Sequence, residues 1–154
     1  GEASNKVVLI GQSDKDIANV VSNFSPDIVA ISVLFSNLLE SAHTIAGIVK
    51  KINKNTTVIL GGNHISNAAV DYKFAVAEKN SNLPEIISDL ENENIDLAMI
   101  GEGEFSMVKL VNALVNKEDI SKIPGLVKKI GDKNMVGKDE EEIVKEVKQY
   151  LKWF

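Results

Sequence analysis

The chain has no cysteine, no arginine, only three prolines and no apolar run that approaches the length of a membrane span. Without cysteine it cannot build a disulfide framework, a thiolate metal site or an iron–sulfur cluster from its own residues. All 17 basic residues are lysines, set against 22 acids for a net charge of -5. That balance argues against nucleic-acid binding, which needs a basic footprint and favours the bidentate arginine fork. A membrane span requires roughly 20 apolar residues in succession, and no basic segment followed by an apolar one opens the chain as a signal peptide would. We therefore expect a cytoplasmic protein with neither a nucleic acid nor a membrane as partner. What is present fits one globular domain with a real core: 154 residues, 44% of them hydrophobic and 25% charged.

Four continuous apolar runs organise the sequence: "KVVLIG" (6–11), "DIVAISVLF" (27–35), "TTVILGG" (56–62) and "DLAMIG" (96–101). Continuous rather than alternating runs are expected of strands buried on both faces of a parallel sheet. Segments with helical spacing lie between them. In "SDKDIANVVSNF", Ser13 is placed as N-cap with Asp16 three residues on, followed by Ile17, Val20, Val21 and Phe24 along one face. "LLESAHTIAGIVKKIN" repeats the pattern through Leu38, Ala42, Ile45, Ile48, Val49 and Ile52. Two shorter helices are expected in 66–80 and 83–94, and another follows the fourth run in "GEFSMVKLVNALVNK". Strand and helix in alternation predict an α/β, Rossmann-like, doubly wound sheet with right-handed crossovers. The tail "IPGLVKKIGDKNMVG" predicts a hairpin turning at Gly131 to Asn134. The last stretch, 139–154, predicts an amphipathic helix with Ile143, Val147, Tyr150, Leu151 and Phe154 on one side, appended to a domain spanning 1–138.

Ligands of such sheets bind at the carboxyl ends of the strands. Three of those ends carry unusual chemistry: Ser32, Val33 and Leu34; then Gly61, Gly62, Asn63 and His64; then Gly101, Glu102 and Gly103, followed by Glu104. No phosphate-binding glycine fingerprint, receiver-type aspartate cluster or Ser/His/Asp set accompanies them, so no catalytic residue and no metal ligand is assigned.

The elements "SVL", 26 residues, then "GG" resemble the S-x-L and G-G elements of cobalamin-binding domains. "PDIVAISVL", "VILGGNH" and "IDLAMIGEGEFSMVKLVNAL" followed by "IPGLV" look still more like the cobalamin-binding domain that precedes the radical SAM barrel in cobalamin-dependent radical SAM enzymes. The resemblance runs from about Lys6 to Val127. It implies a B12-binding-domain fold that holds a corrinoid for a radical SAM partner domain, in a methyltransferase-type enzyme. S-adenosylmethionine and a 4Fe-4S cluster would belong to that partner alone. It also implies that Ser32 hydrogen-bonds the cofactor's nucleotide and that Leu34 lines the slot. Gly61 and Gly62 would bring backbone against the nucleotide loop, with Asn63 and His64 beside it, and Gly101 and Gly103 would open the neighbouring wall beside Glu102.

Two elements of that family are missing. No D-x-H-x-x-G supplies a lower cobalt ligand, and only 31 residues precede Ser32. The resemblance thus leads us to expect the family's central first strand and its helix to be missing from this segment, by truncation, by supply from another chain or because "KVVLIG" takes that role; loss of a central strand would leave an apolar sheet edge open to self-association. No C-x-x-x-C-x-x-C is present, so radical chemistry cannot reside in this segment. Simpler readings stand beside each motif. Gly61 and Gly62 can serve a tight turn, Ser32 can satisfy a neighbouring carbonyl, and Glu102 and Glu104 can favour the positive end of a helix. His64 can cap the next helix or face solvent, and His43, amid alanines in mid-helix, reads as structural. The rival function is a cofactor-free interaction module on the same scaffold.

Overall fold

The computed structural model describes residues 13–68, 71, 92–101, 103–120 and 123–128. The expected first strand (6–11), most of the helices expected in 66–80 and 83–94, Glu102, the hairpin turn at 131–134 and the helix expected over 139–154 lie outside the described residues.

Helix α1, Asp14–Phe24, starts where the sequence places it. Ser13 Oγ accepts the Asp16 amide at 3.3 Å and the Asp16 carboxylate accepts the Ser13 amide at 3.2 Å, so two otherwise orphaned donors are satisfied reciprocally. Ser25, at φ 48, turns the chain out of the helix, and Pro26 prevents its continuation. Strand β1, Ile28–Ser32, follows. One 3-10 turn at Ser36–Leu38 leads into α2, Leu39–Ile52. The buried residues of α2 are Ala42, Ala46 and Val49, while Ile52 is exposed. The stripe is thus rotated from the one expected through Ile48 and Ile52, because the two alanines let the helix axis approach the sheet and push the bulkier isoleucines to its flanks.

Strand β2, Thr57–Gly61, is followed by helix α3, residues 63–68; then come β3, Leu97–Met99, α4, Glu104–Asn116, and β4, Leu126–Lys128. The sheet order is β1-β2-β3-β4. β1 and β2 run parallel with Ile28 opposite Thr57 and Ser32 opposite Gly61, and β2 and β3 run parallel with Leu60 opposite Ala98. β4, the first arm of the expected hairpin, is antiparallel to β3, with Met99 opposite Leu126.

Helices cover both faces, which defines the doubly wound arrangement. On one face Val21 of α1, Ala42, Ala46 and Val49 of α2, and Ile65 and Ala68 of α3 pack on Val58, Leu60, Ala98 and Val127. On the other, Leu110 and Ala113 of α4, with Ile123, pack on Ile59, Leu97, Met99 and Leu126. Every residue of β3 is buried, as are Val58, Ile59 and Leu60 of β2, which is why those runs carry no polar alternation.

β1 differs. Val29 and Ile31 pack on the first core, yet Ala30 and Ser32, which by strand alternation look to the α4 side, are exposed. Among the described residues β1 is an edge of the sheet and its α4-side face is bare beyond Ile28.

The amino ends of the strands are closed by polar locks. Lys50 Nζ lies 2.7 Å from Asp96 Oδ2 and donates to the Thr56 carbonyl at 2.7 Å; the same Asp96 oxygen accepts the Val58 amide at 2.7 Å. Thr56, fully buried, donates its hydroxyl to the Pro26 carbonyl at 2.9 Å. Among the described residues the opposite rim has no such lock of charges, and the described parts of all three unusual motifs converge on it.

Candidate functional site

The rim is assembled from the ends of β1, β2 and β3. Val33 closes the first end: its amide donates to the Gly61 carbonyl at 2.7 Å and its carbonyl accepts the His64 amide at 3.0 Å. Its side chain is wholly buried in the first core, so Val33 serves the rim as a backbone brace. Leu34 and Phe35 follow it outward, 45% and 66% exposed, as apolar surface at this strand end.

The glycine pair divides into two different cases. Gly62 has φ 100, and a Cβ there would stand 2.6 Å from the Val33 oxygen, 2.8 Å from the Val33 nitrogen and 2.9 Å from Ser32 Oγ. The protein's own backbone therefore demands glycine at 62, both by conformation and by contact. At Gly61 a Cβ would meet only the Met99 oxygen at 3.7 Å and the Met99 Cβ at 4.0 Å, which is ordinary packing distance. Nothing within the described residues requires glycine at 61. Gly61 lies opposite Ser32, on the same face as Ala30, and these three small residues, Ala30 and Ser32 exposed and Gly61 half-buried, form a floor bordered by Met99.

His64 is neither a solvent-facing nor a loop residue. It lies in the first turn of α3, is 5% exposed, and its Nδ1 is 3.0 Å from Ser36 Oγ. That contact pins the turn after β1 to the start of α3. Asn63, one residue earlier, is exposed.

At the third strand end, Gly101 has φ 81 and is exposed, and its amide donates to Ser66 Oγ at 2.9 Å. Gly103 precedes α4, and a Cβ on it would lie 3.2 Å from Met99 Cγ, so a larger residue would press on the side chain bordering the floor. Glu104 occupies the first turn of α4, where its charge complements the exposed amides of the helix start. The trailing P-G has a local cause: Gly125, at φ 73, sits so close to Ile100 that a Cβ would run into the Ile100 carbonyl oxygen, and its own carbonyl accepts the Ile100 amide at 2.8 Å.

Sequence reasoning passed over Ser36, Ser66 and Ala30. Ser66 follows Gly62 by four residues, the spacing at which a helical serine bonds back to a carbonyl, and that was the one available signal. Among the described residues no three His, Asp or Glu side chains group as a metal centre. No helix among them is long and apolar enough to cross a membrane.

A mostly parallel, doubly wound sheet with a glycine-rich rim and a bare floor beside its edge strand defines a ligand-binding α/β domain of the Rossmann-like class. The chain belongs to the B12 binding domain family, which it matches over residues 2–87, just over half its length. An uncharacterised methyltransferase of Pyrococcus horikoshii is 34% identical over 111 residues, 72% of this chain and 20% of that protein. A cytidylyl-2-hydroxyethylphosphonate methyltransferase of Streptomyces wedmorensis is 28% identical over 98 residues, 64% of this chain and 15% of that protein. The chain thus corresponds to a fifth or less of the length of these relatives. No solved structure matches it significantly.

Proposed function

We propose that this domain holds a cobalamin by its nucleotide tail, laid across the floor of Ala30, Ser32 and Gly61, and presents it to a partner domain of the methyltransferase type. The observation that carries this reading is Gly61: no contact among the described residues excludes a Cβ there, so its lack of one suits a ligand that lies flat on the strand end. The other residues fit the same group. Ser32 offers an exposed hydroxyl to the nucleotide, Leu34 and Phe35 give it apolar cover, and Gly101 and Gly103 stand on the far side. When bound, the corrinoid supplies a cobalt centre able to carry a methyl group or an electron; the chain itself binds and orients it. Because His64 is buried against Ser36, we assign no protein ligand to the cobalt.

The methyltransferase names of both relatives, and the small share of each that this chain matches, support a catalytic partner domain. The motif order S-x-L, G-G, G-E-G-E, P-G favours a radical SAM barrel as that partner, with S-adenosylmethionine and a 4Fe-4S cluster bound there. Gel filtration of the protein with cobalamin tests the binding: the corrinoid colour is expected to travel with the protein peak, and a colourless peak of folded protein refutes the reading. Iron and sulfide analysis of the longest native polypeptide that carries this segment tests the partner.

A further inference from the structure

The two glycine loops of the rim are joined by a hydroxyl that belongs to neither. Ser66, in α3, accepts the Gly101 amide at 2.9 Å and donates to the Gly62 carbonyl at 3.3 Å. A serine hydroxyl can do both at once because it has one donor and two acceptor sites. The peptide before Gly101 is held from the other side, since the Ile100 amide donates to the Gly125 carbonyl at 2.8 Å. The β3–β4 register ends at Met99 and Leu126, and beyond the strand these two bonds hold the start of the third loop. Among the described residues, the one from Ser66 refers it to the G-G loop.

We propose that Ser66 is a positioning residue that fixes Gly101 relative to the Gly61–Gly62 loop, and through it the fit of a corrinoid's nucleotide tail between them; the corrinoid half of this rests on the function proposed above. The geometry separates this role from general structural support. Gly101 is exposed, so on removal of the hydroxyl its amide turns to water and the fold loses little. What is lost is the constraint on loop separation. A ligand that threads between the loops will register the change, and a corrinoid without a nucleotide will not.

The test uses the whole protein with Ser66→Ala and Ser66→Thr, probed with cobalamin and with cobinamide, the corrinoid that lacks the nucleotide. For Ser66→Ala the expected result is a thermal midpoint close to wild type, faster hydrogen exchange at the Gly101 amide, and cobalamin binding weakened about fivefold to tenfold, the scale of one hydrogen bond. Cobinamide binding is expected to stay unchanged, and Ser66→Thr, which keeps the hydroxyl, to restore both exchange and affinity. Unchanged exchange at Gly101 in Ser66→Ala overturns the proposal, as does an equal loss of cobalamin and cobinamide. If the wild-type protein binds no cobalamin, the proposed function fails and the ligand half of this proposal with it, while the Gly101 exchange rate still decides whether Ser66 holds the loop.

Discussion

Adjacent glycines that look equivalent in the sequence are predicted to respond in opposite ways to the same substitution. Gly62→Ala places a methyl group 2.6 Å from the Val33 carbonyl oxygen and 2.8 Å from its amide nitrogen, at a residue with φ 100. The backbone conformation alone costs a non-glycine residue on the order of 1–3 kcal/mol, and forcing the neighbouring backbone aside adds about 1–3 kcal/mol more. Destabilisation of roughly 2–6 kcal/mol corresponds to a fall of about 4–24 °C in Tm for a domain of this size. Among the described residues Gly61→Ala meets nothing closer than 3.7 Å, and it removes freedom from the unfolded chain, so its Tm is expected to hold or rise slightly, by the equivalent of about 0.4–1 kcal/mol. Binding reverses the order of interest. The Gly61 methyl stands on the floor where the nucleotide is proposed to lie, and overpacking of about 1–3 kcal/mol weakens cobalamin roughly fivefold to 150-fold in a protein that remains folded. Scanning calorimetry and equilibrium dialysis on the two variants read both quantities. A Gly61→Ala protein as unstable as Gly62→Ala, or one that binds cobalamin as wild type does, refutes the division of roles.

Two further outcomes follow from the framework around the rim. Lys50→Met removes the cation that joins Asp96 to the Thr56 carbonyl; Asp96 is 38% exposed, which limits the loss, and a drop of about 1–2 kcal/mol in denaturant unfolding is expected with cobalamin binding unchanged. Deleting residues 139–154, whose sequence carries an apolar stripe ending in Trp153 and Phe154, is expected to change solubility or the mass seen by light scattering, and an identical mass at equal solubility counts against a docking role for that segment.

Much of the fold was legible because burial on both faces leaves a mark that needs no partner to be seen. Apart from the buried Thr56 at the start of the β2 run, the runs around β2 and β3 carry apolar residues at their core positions, so their strand character and parallel pairing followed from composition alone. The N-terminus of α1 was equally plain, since Ser13 and Asp16 declare a reciprocal cap through spacing. The buried stripe of α2 was misread at Ile48 and Ile52 because hydrophobicity ranks isoleucine over alanine, whereas close approach to a sheet favours the smaller side chain.

The site was legible as a place and less so as a set of roles. Motif order brought three loops to one rim, yet it gave no means of telling Gly61 from Gly62, because the difference lies in what each absent Cβ would touch. His64 read as a loop residue because nothing in "GGNHIS" announces that Ser36, 28 positions earlier, meets its ring. Ser66 and Ala30 drew no notice for a similar reason: a helical serine and a strand alanine are unremarked in sequence, and their meaning comes from a hydrogen bond across 35 residues and from the exposure of one face of β1.

The central claim is that the strand-end floor takes the nucleotide of a corrinoid, and parallel calorimetric titrations of the protein with cobalamin and with cobinamide test it most directly. The account predicts one cobalamin bound per chain, with the absorption change that accompanies displacement of its own base from cobalt, and markedly weaker binding of cobinamide. Equal affinity for the two, or no heat with either in a protein folded by circular dichroism, would contradict it.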